Sequence, residues 1–541
     1  MTIPTPSQLA TQATTKLHTL VTLTRAGIVH PERPDRLWHT ARALLRYGTT
    51  PAAGYTAAAR NFPDEPAVID ELGTLTFKEV DERSNALAHA FAADGVQTGD
   101  GVAIMCRNHR GWIDAVLACS KLGANALFLN TAFSGPQLTD VAKREKPKAV
   151  VYDQEFAAVL KDAGRRRRRY VAWTEGKAKD PALEALIAAG DPSPPPAPSE
   201  QGRAIILTSG TTGTPKGASR SMPKSIDPIA ALLSVIPLRA REKTMIAAPL
   251  FHAWGFAQWA LGISLATTVV LKRKFDEEAT LSLTAQHGCN ALVVVPVMIQ
   301  RILELDDEVL DRYDLSKVRA VPVSGSALPA ALSDRWMDHF GEHLYNLYGS
   351  TEVAWATIAT PRDLREAPGT VGRPPRGSVV QIYDETGRPV PTGESGRIFV
   401  GNDVQFEGYT GGGNKDEIGG LLSSGDVGHF DDRGRLFIDG RDDDMIVSGG
   451  ENVFPGEVED LLHGHANVAD VAVFGVDDAK YGQRLKAVIV KKGSLSEQDV
   501  KDYVKSNLAG YKAPRDVVFV DELPRTSTGK VLKRELRDAS T

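Results

Sequence analysis

Cysteine is scarce: Cys106, Cys119 and Cys289 are the only three in 541 residues. They form no C-x-x-C pair and no Cys/His cluster at zinc-ligand spacing. That excludes a structural zinc of the usual kind and a secreted disulfide framework. All three are expected to be reduced packing residues. An excess of one charge is also missing. The chain carries 63 basic and 68 acidic residues, a formal net charge of −5. Such a balance argues against a protein built to coat DNA or RNA, and no nucleic-acid partner is expected. Long hydrophobic runs are absent too. The longest mostly apolar stretch, Trp259 to Leu271, is interrupted by Gly, Ser and Thr. It is shorter than the roughly 20 residues a membrane-spanning helix requires. The start, Met1-Thr2-Ile3-Pro4, lacks a basic segment followed by an apolar one. A cytosolic location is the default expectation.

What remains is ordinary for a globular chain: 42% apolar and 24% charged residues. At roughly 150 residues per domain, the length suggests three or four structural units. From Ala52 to about Val400, short apolar runs alternate with helical patterns. Gly101–Cys106, Asn125–Leu129, Ala149–Tyr152, Ala291–Val295 and Val318–Val323 read as buried strands. Val80–Gly95 and Gly111–Gly123 read as helices between them. Such alternation predicts α/β architecture with parallel sheets covered on both faces. From about Gly387 to His429 glycine and turn residues are dense, which predicts a small β-rich subdomain. After Arg441 comes a compact α+β pattern, with strands at Val471–Val476 and Lys486–Val490 and a helix at Ser496–Leu508. The division expected is therefore 1–50, an N-terminal helical extension; 51–440, a large domain; and 441–541, a small C-terminal domain.

Three segments invite more than one reading. Pro34 to Arg46 places Leu37, Trp38, Ala41, Leu44 and Leu45 on one helical face, with Arg36, Arg42 and Arg46 elsewhere. It reads as a membrane-surface helix, giving peripheral membrane contact, or as a helix docked on the main body; docking is the expected outcome. Arg165 to Arg169 is a run of five arginines, expected to be a solvated turn. Pro192 to Pro198 is a stiff connector.

The strongest local signal is Leu207-Thr-Ser-Gly-Thr-Thr-Gly-Thr-Pro-Lys-Gly217, which follows the apolar run Ala204–Leu207. A strand thus feeds a loop of glycines and hydroxyls. Glycines let backbone N–H groups approach a phosphate, and the hydroxyls add donors. Lys216 adds a positive charge. It is not a Walker A loop, because Gly217 and Ala218 follow the lysine.

This loop resembles the signature loop of the adenylate-forming superfamily: acyl-CoA synthetases, adenylation domains and firefly-type luciferases. The resemblance runs from about Thr56 to Leu536, with further motifs in the family's order. It implies that Thr208, Ser209, Gly210, Thr211, Thr212, Gly213 and Lys216 hold the phosphates of ATP. Pro249-Leu-Phe-His-Ala-Trp-Gly-Phe256 is similar to the family's acid-site motif, so His252, Trp254 and Phe256 would line the acyl pocket. Val297 and Met298 are further apolar candidates. Ser324, Gly325, Ser326 and Ala327 resemble the loop whose backbone meets the adenine, their small side chains allowing that approach. Tyr345-Asn-Leu-Tyr-Gly-Ser-Thr-Glu352 matches the next motif. By resemblance Asn346 bonds the adenine edge, Tyr348 stacks on the ring beside Gly349, Thr351 contacts phosphate and Glu352 holds Mg²⁺. A hard cation prefers carboxylate and phosphate oxygens, which agrees. Ser424-Gly-Asp426 resembles the ribose-binding motif, with serine where the family more often has threonine. Gly440-Arg441 through Pro455 resembles the hinge region. It implies that Arg441 supports the ribose and phosphates, Asp443 is the hinge, and Gly449 and Gly450 line a passage for the CoA arm. Pro524-Arg-Thr-Ser-Thr-Gly-Lys530 is similar to the C-terminal catalytic motif and implies that Lys530 reaches into the active site.

The activity so implied is ATP-dependent ligation of a fatty acid to CoA through an acyl-adenylate, with a C-terminal domain that moves between half-reactions. The stretches Gly401–Tyr409 and Gly440–Glu459 resemble actinobacterial-type fatty acyl-CoA synthetases more closely. Its substrates would be a carboxylic acid, ATP and CoA, and a homodimer fits on family grounds. An aryl acid, an acyl-AMP ligase serving a carrier protein and a non-catalytic binding protein are the rival readings. Lys530 and Glu352, the residues inactive relatives usually lose, are both present.

Overall fold

The computed structural model describes residues 6–208, 216–220, 225–404, 406–410, 412–442, 446–448, 451–478, 482–526 and 529–538. Two large sheets dominate the N-terminal body. The first has seven strands in the order 406–409, 216–220, 204–208, 125–128, 101–105, 149–153, 168–173. The five from Ala204–Thr208 to Arg168–Trp173 run parallel; the two at the other edge are antiparallel. The second has the order 291–293, 243–246, 268–271, 66–70, 73–76 and is parallel apart from its last strand. Near-continuous Val/Ile/Leu runs make these strands, as burial on both faces demands.

The helices Phe77–Ala93 and Arg110–Leu122 lie where the periodicity places them, and their cores join in one large cluster. Thr76 caps the first in a reciprocal box with Glu79. Charges that the fold buries are paired: Lys121 with Asp81 at 2.7 Å, and Arg110 with Asp70 at 2.5 Å.

A three-stranded sheet, 321–323, 344–350 and 354–359, continues the second sheet through the bridges Ala291–Ala320 and Val294–Val323. The β-rich subdomain follows as strands Val379–Tyr383, Gly396–Gly401, Glu417–Ile418, Leu421–Phe430 and Leu436–Arg441. The C-terminal unit packs its own core around strands Val468–Asp478 and Gly482–Lys491 and helices Pro455–His463 and Glu497–Asn507. The strand–helix alternation, the β-rich insert and the α+β end thus all appear in the expected order.

Two expectations need correction. The Pro34–Tyr47 helix does dock, but by Ala43 and Tyr47 against Ala52, Ala53 and Ala57. Its apolar face points outward. The arginine run is only half solvated. Arg165 and Arg166 are exposed. Arg167, however, donates to the carbonyls of Ala163 and Ala142 at 2.7 and 2.8 Å, and Arg169 pairs with Asp180 at 2.9 Å. The five N–H donors of a guanidinium let Arg167 bind both carbonyls at once. The three cysteines are buried, and burial pushes the Cys119 and Cys289 thiols up to about 12.

Candidate active site

The site forms where the ends of several strands meet. Strand Ala204–Thr208 pairs with the returning strand Lys216–Arg220, Thr208 facing Lys216 across the ladder. The hydroxyl-rich loop is therefore the connection of a hairpin at the carboxyl end of a parallel strand, where α/β sheets bind ligands. Ser209, Gly210, Thr211, Thr212 and Gly213 lie outside the described residues, as do Asp443, Gly449 and Gly450.

The Asn346–Glu352 motif occupies strand Leu344–Ser350 and the turn after it. Gly349 has no room for a side chain, since a Cβ would fall 1.9 Å from the Ala354 carbonyl oxygen. Asn346 is buried, yet its side-chain amide has no hydrogen bond among the described residues. Its amide donors and acceptor are therefore open to a ligand. Beside it, the Tyr348 hydroxyl donates to Asp426 Oδ2 at 2.6 Å, and Arg441 Nη1 donates to Asp426 Oδ1 at 2.9 Å. Asp426 and Arg441 are cross-strand partners in the β-rich subdomain, so the ladder itself brings them together. The Ser424 hydroxyl accepts from the Asp426 N–H at 3.1 Å. Burial first, and then the Asp426 charge, hold the Tyr348 hydroxyl well above its ordinary range, so it stays a donor.

Glu352 accepts from the Tyr409 hydroxyl at 2.8 Å on one oxygen and from Ser350 at 3.1 Å on the other. Its partners are hydroxyls, not a guanidinium, so carboxylate lone pairs remain open to a hard cation. The donor chemistry therefore fits magnesium. Thr351 lies in the same turn, half-buried between Ser350 and Glu352. Another group of possible metal donors, Cys106, His109 and Asp153, is wholly buried. Its atoms already serve one another: His109 Nε2 lies 2.8 Å from Asp153, and its Nδ1 accepts from the Gly111 N–H.

On the acid side, His252 caps helix Ala253–Ser264, and burial lowers its pKa to about 4. Its imidazole is neutral at physiological pH. Asn130 Nδ2 lies 3.5 Å from His252 Nε2. Trp254 is buried and donates to the Val294 carbonyl at 3.0 Å. Phe256 is half-buried against Phe128, ring centres 5.1 Å apart, with Trp112 and Trp259 behind.

Val294 bridges to Val323, the last residue before the predicted adenine loop. The loop leaves the sheet in graded steps. Ser324 is buried, Gly325 is exposed with φ +105° beside Val295, Ser326 is half-buried and Ala327 is exposed. The Ser326 hydroxyl makes no hydrogen bond among the described residues, and the loop presents the small residues and backbone that the resemblance implies. Val297 follows Val295 at the start of helix Pro296–Leu303.

The Lys530 loop closes this arrangement. Gly529 is seated on Val297: a Cβ would fall 2.3 Å from Val297 Cγ1, and its φ of +82° is one that glycine alone adopts freely. The loop is braced from its own domain by Arg525, which donates to the Gly529 carbonyl and, at 2.5 Å, to Asp470. Thr526 adds bonds to Lys530 across the turn. The acid-site helix, the Ser324–Ala327 loop, the Asn346 strand, the Asp426–Arg441 pair and the lysine loop are thus contiguous.

Sequence reasoning missed several supports. Tyr409 ends the Gly401–Tyr409 stretch, where nothing marks it as the partner of Glu352. Asn108 holds the loop before His252: its amide donates to the Ala248 carbonyl at 2.9 Å and accepts from the Leu250 N–H at 2.8 Å. Nothing in the sequence around Asn108 signals this. Arg525 sits within the C-terminal motif, yet only the fold shows that it grips Gly529.

Comparisons with known proteins agree with this geometry. The AMP-binding enzyme family matches residues 55–410, and the AMP-binding enzyme C-terminal domain matches 457–530. A feruloyl-CoA synthase from Amycolatopsis sp is 33% identical over 489 residues, covering 88% of this chain and 96% of the relative. A fatty acid–acyl-carrier-protein ligase from Streptomyces coeruleorubidus is 29% identical over 518 residues, covering 93% and 98%. The structure of o-succinylbenzoate CoA synthetase from Bacillus subtilis, in complex with its acyl-adenylate intermediate, superimposes with a TM-score of 0.79. It is 27% identical and covers 90% of this chain and 98% of its own. The chain belongs to the AMP-binding enzyme family.

Proposed function

We propose that the protein ligates a carboxylic acid to CoA, with ATP consumed to AMP and pyrophosphate through an acyl-adenylate. The observation that carries this reading is the seating of the Gly529–Lys530 loop on Val297, beside the Ser324–Ala327 loop. A carboxylate cannot acylate a thiol directly, because its leaving group would be oxide. In the first half-reaction its oxygen attacks the α-phosphorus and pyrophosphate leaves. Two anions must approach, and Lys530 is the cation poised to offset their repulsion. Asn346 would take the adenine edge, with Tyr348 beside the ring and Gly325 and Ser326 against its face. Asp426, held by Tyr348 and Arg441, would accept from the ribose hydroxyls. Glu352, oriented by the Tyr409 hydroxyl, would hold magnesium, whose chemistry is to neutralise phosphate charge. In the second half-reaction the CoA thiol attacks the acyl carbon, and AMP leaves with one former carboxylate oxygen. No protein nucleophile is required. Where ATP and CoA are both plentiful is the cytoplasm, the location we assign.

For the acid we propose a compact, ring-bearing molecule in preference to the medium- or long-chain fatty acid that the sequence suggests. Phe256 is backed by Phe128, Trp112 and Trp259, a stiff aromatic wall suited to a flat body. Feruloyl and succinylbenzoyl relatives point the same way. The fatty-acid reading keeps the support of the apolar pocket candidates Trp254 and Val297 and of the carrier-protein ligase relative. The test is pyrophosphate release with ATP and Mg²⁺ over hydroxycinnamic, benzoic and saturated straight-chain acids, with and without CoA. Thioester formed best from a ring acid supports the proposal. A preference for long chains would restore the fatty acid, and adenylate without thioester would remove CoA from the reaction.

A further inference from the structure

We propose that the Pro34–Tyr47 helix is an in-plane membrane anchor that lies on an anionic phospholipid surface. Among the described residues, fourteen large hydrophobic side chains are exposed, and eight of them lie between Leu17 and Leu45. Four belong to this helix: Leu37, Trp38, Leu44 and Leu45, with Trp38 61% and Leu45 84% exposed. At 3.6 residues per turn they and Ala41 fall within an arc of about 120°. The stripe is continuous along the helix, and a soluble protein rarely leaves such a stripe uncovered.

The helix cannot roll to hide it. Its opposite face is fixed by Tyr47 and Ala43 in an alanine-rich contact. His39 lies 3.1 Å from Asn61 Oδ1, Asn61 donates to Thr40 at 3.1 Å, and Arg46 donates to the Pro195 carbonyl. The outward orientation is therefore built into the fold.

The surrounding charge selects the occupant. The two acidic residues nearby are consumed: Glu32 by Arg36 at 3.0 Å and Asp35 by Arg33 at 2.9 Å. Arg42, exposed at the border of the stripe, pairs with no carboxylate among the described residues. A chain of net charge −5 thus shows a locally positive, apolar face. Leucines and a tryptophan flanked by arginines match the acyl and headgroup layers of an anionic bilayer. A second copy of the chain fits worse. A two-fold contact sets the same patch against itself and would bring the Arg42 side chains of both copies into one interface.

The test is flotation of the full chain with vesicles of phosphatidylcholine alone and of phosphatidylcholine mixed with phosphatidylglycerol. It does not depend on the ligase reading, since it needs no turnover. The wild type is expected to float with the mixed vesicles, less so at high salt. The double variant Trp38→Ser/Leu45→Ser should lose binding about tenfold or more, and Arg42→Glu should lose it in part. An unchanged thermal midpoint confirms that the variants fold. Failure of the wild type to float, or a double variant that floats equally, overturns the proposal. A wild-type dimer that the double variant converts to monomer, without flotation, assigns the stripe to a second copy and overturns it too.

Discussion

Asp426 and Lys530 are both charged groups of one site, held in opposite ways. Asp426 is fixed from two sides within the N-terminal body, by the Tyr348 hydroxyl and the Arg441 guanidinium. Its place follows from a strand ladder. Lys530 arrives on an exposed turn of the other domain, braced by Arg525 and seated on Val297 through a glycine. On the proposed function, the nucleotide side is preorganised and the lysine is delivered. A rigid half suits a group needed throughout the reaction, and a delivered half suits one needed for a single step.

Substitutions can break that contrast. The largest effect is expected from Lys530→Ala, which should lower pyrophosphate release by roughly 10²–10³-fold. It should leave thioester formation from supplied acyl-adenylate nearly intact; loss of both would put Lys530 in both steps. Asp426→Ala comes next. It leaves Arg441 and Tyr348 without their shared partner and should cost about 2–3 kcal/mol, near a hundredfold, in both half-reactions. A loss confined to adenylation would contradict the preorganised role. Gly529→Ala should slow adenylation about tenfold through its backbone strain and the clash with Val297. Adding Val297→Ala should recover part of that loss, and no recovery would argue against the seated loop. The smallest effect concerns His252. Its folded pKa, lowered by burial to about 4, is below its ordinary value. The stability linked to it is full above pH 6.5 and falls as pH drops toward 4. Imidazole proton shifts followed by NMR should show no titration of His252 between pH 6 and 8, and a midpoint near 6.5 would refute its burial.

Much of the fold was legible because parallel strands buried on both faces write themselves as unbroken apolar runs. Ala149–Asp153 is such a case, and the long strand Val468–Asp478 shows the same signal in the C-terminal unit. The motif residues Asn346, Tyr348 and Asp426 were legible as types, but their mutual contacts were not. The Tyr348–Asp426 bond spans 78 positions of sequence and depends on how two sheets meet. Asn108 was invisible because its work is to satisfy backbone groups of a loop 140 residues away. Periodicity found the Pro34–Tyr47 helix and its apolar stripe but not which side meets the core. A hydrophobic face says that something must cover it; only the Ala43–Tyr47 contact shows that the protein does not.

The central claim is that the acid is activated as an adenylate. Its most direct test is to supply an acid whose carboxylate carries heavy oxygen, together with ATP and CoA, and to weigh the products. The account predicts one heavy oxygen in AMP for every thioester formed. Unlabelled AMP, or label in pyrophosphate or free phosphate, would contradict it.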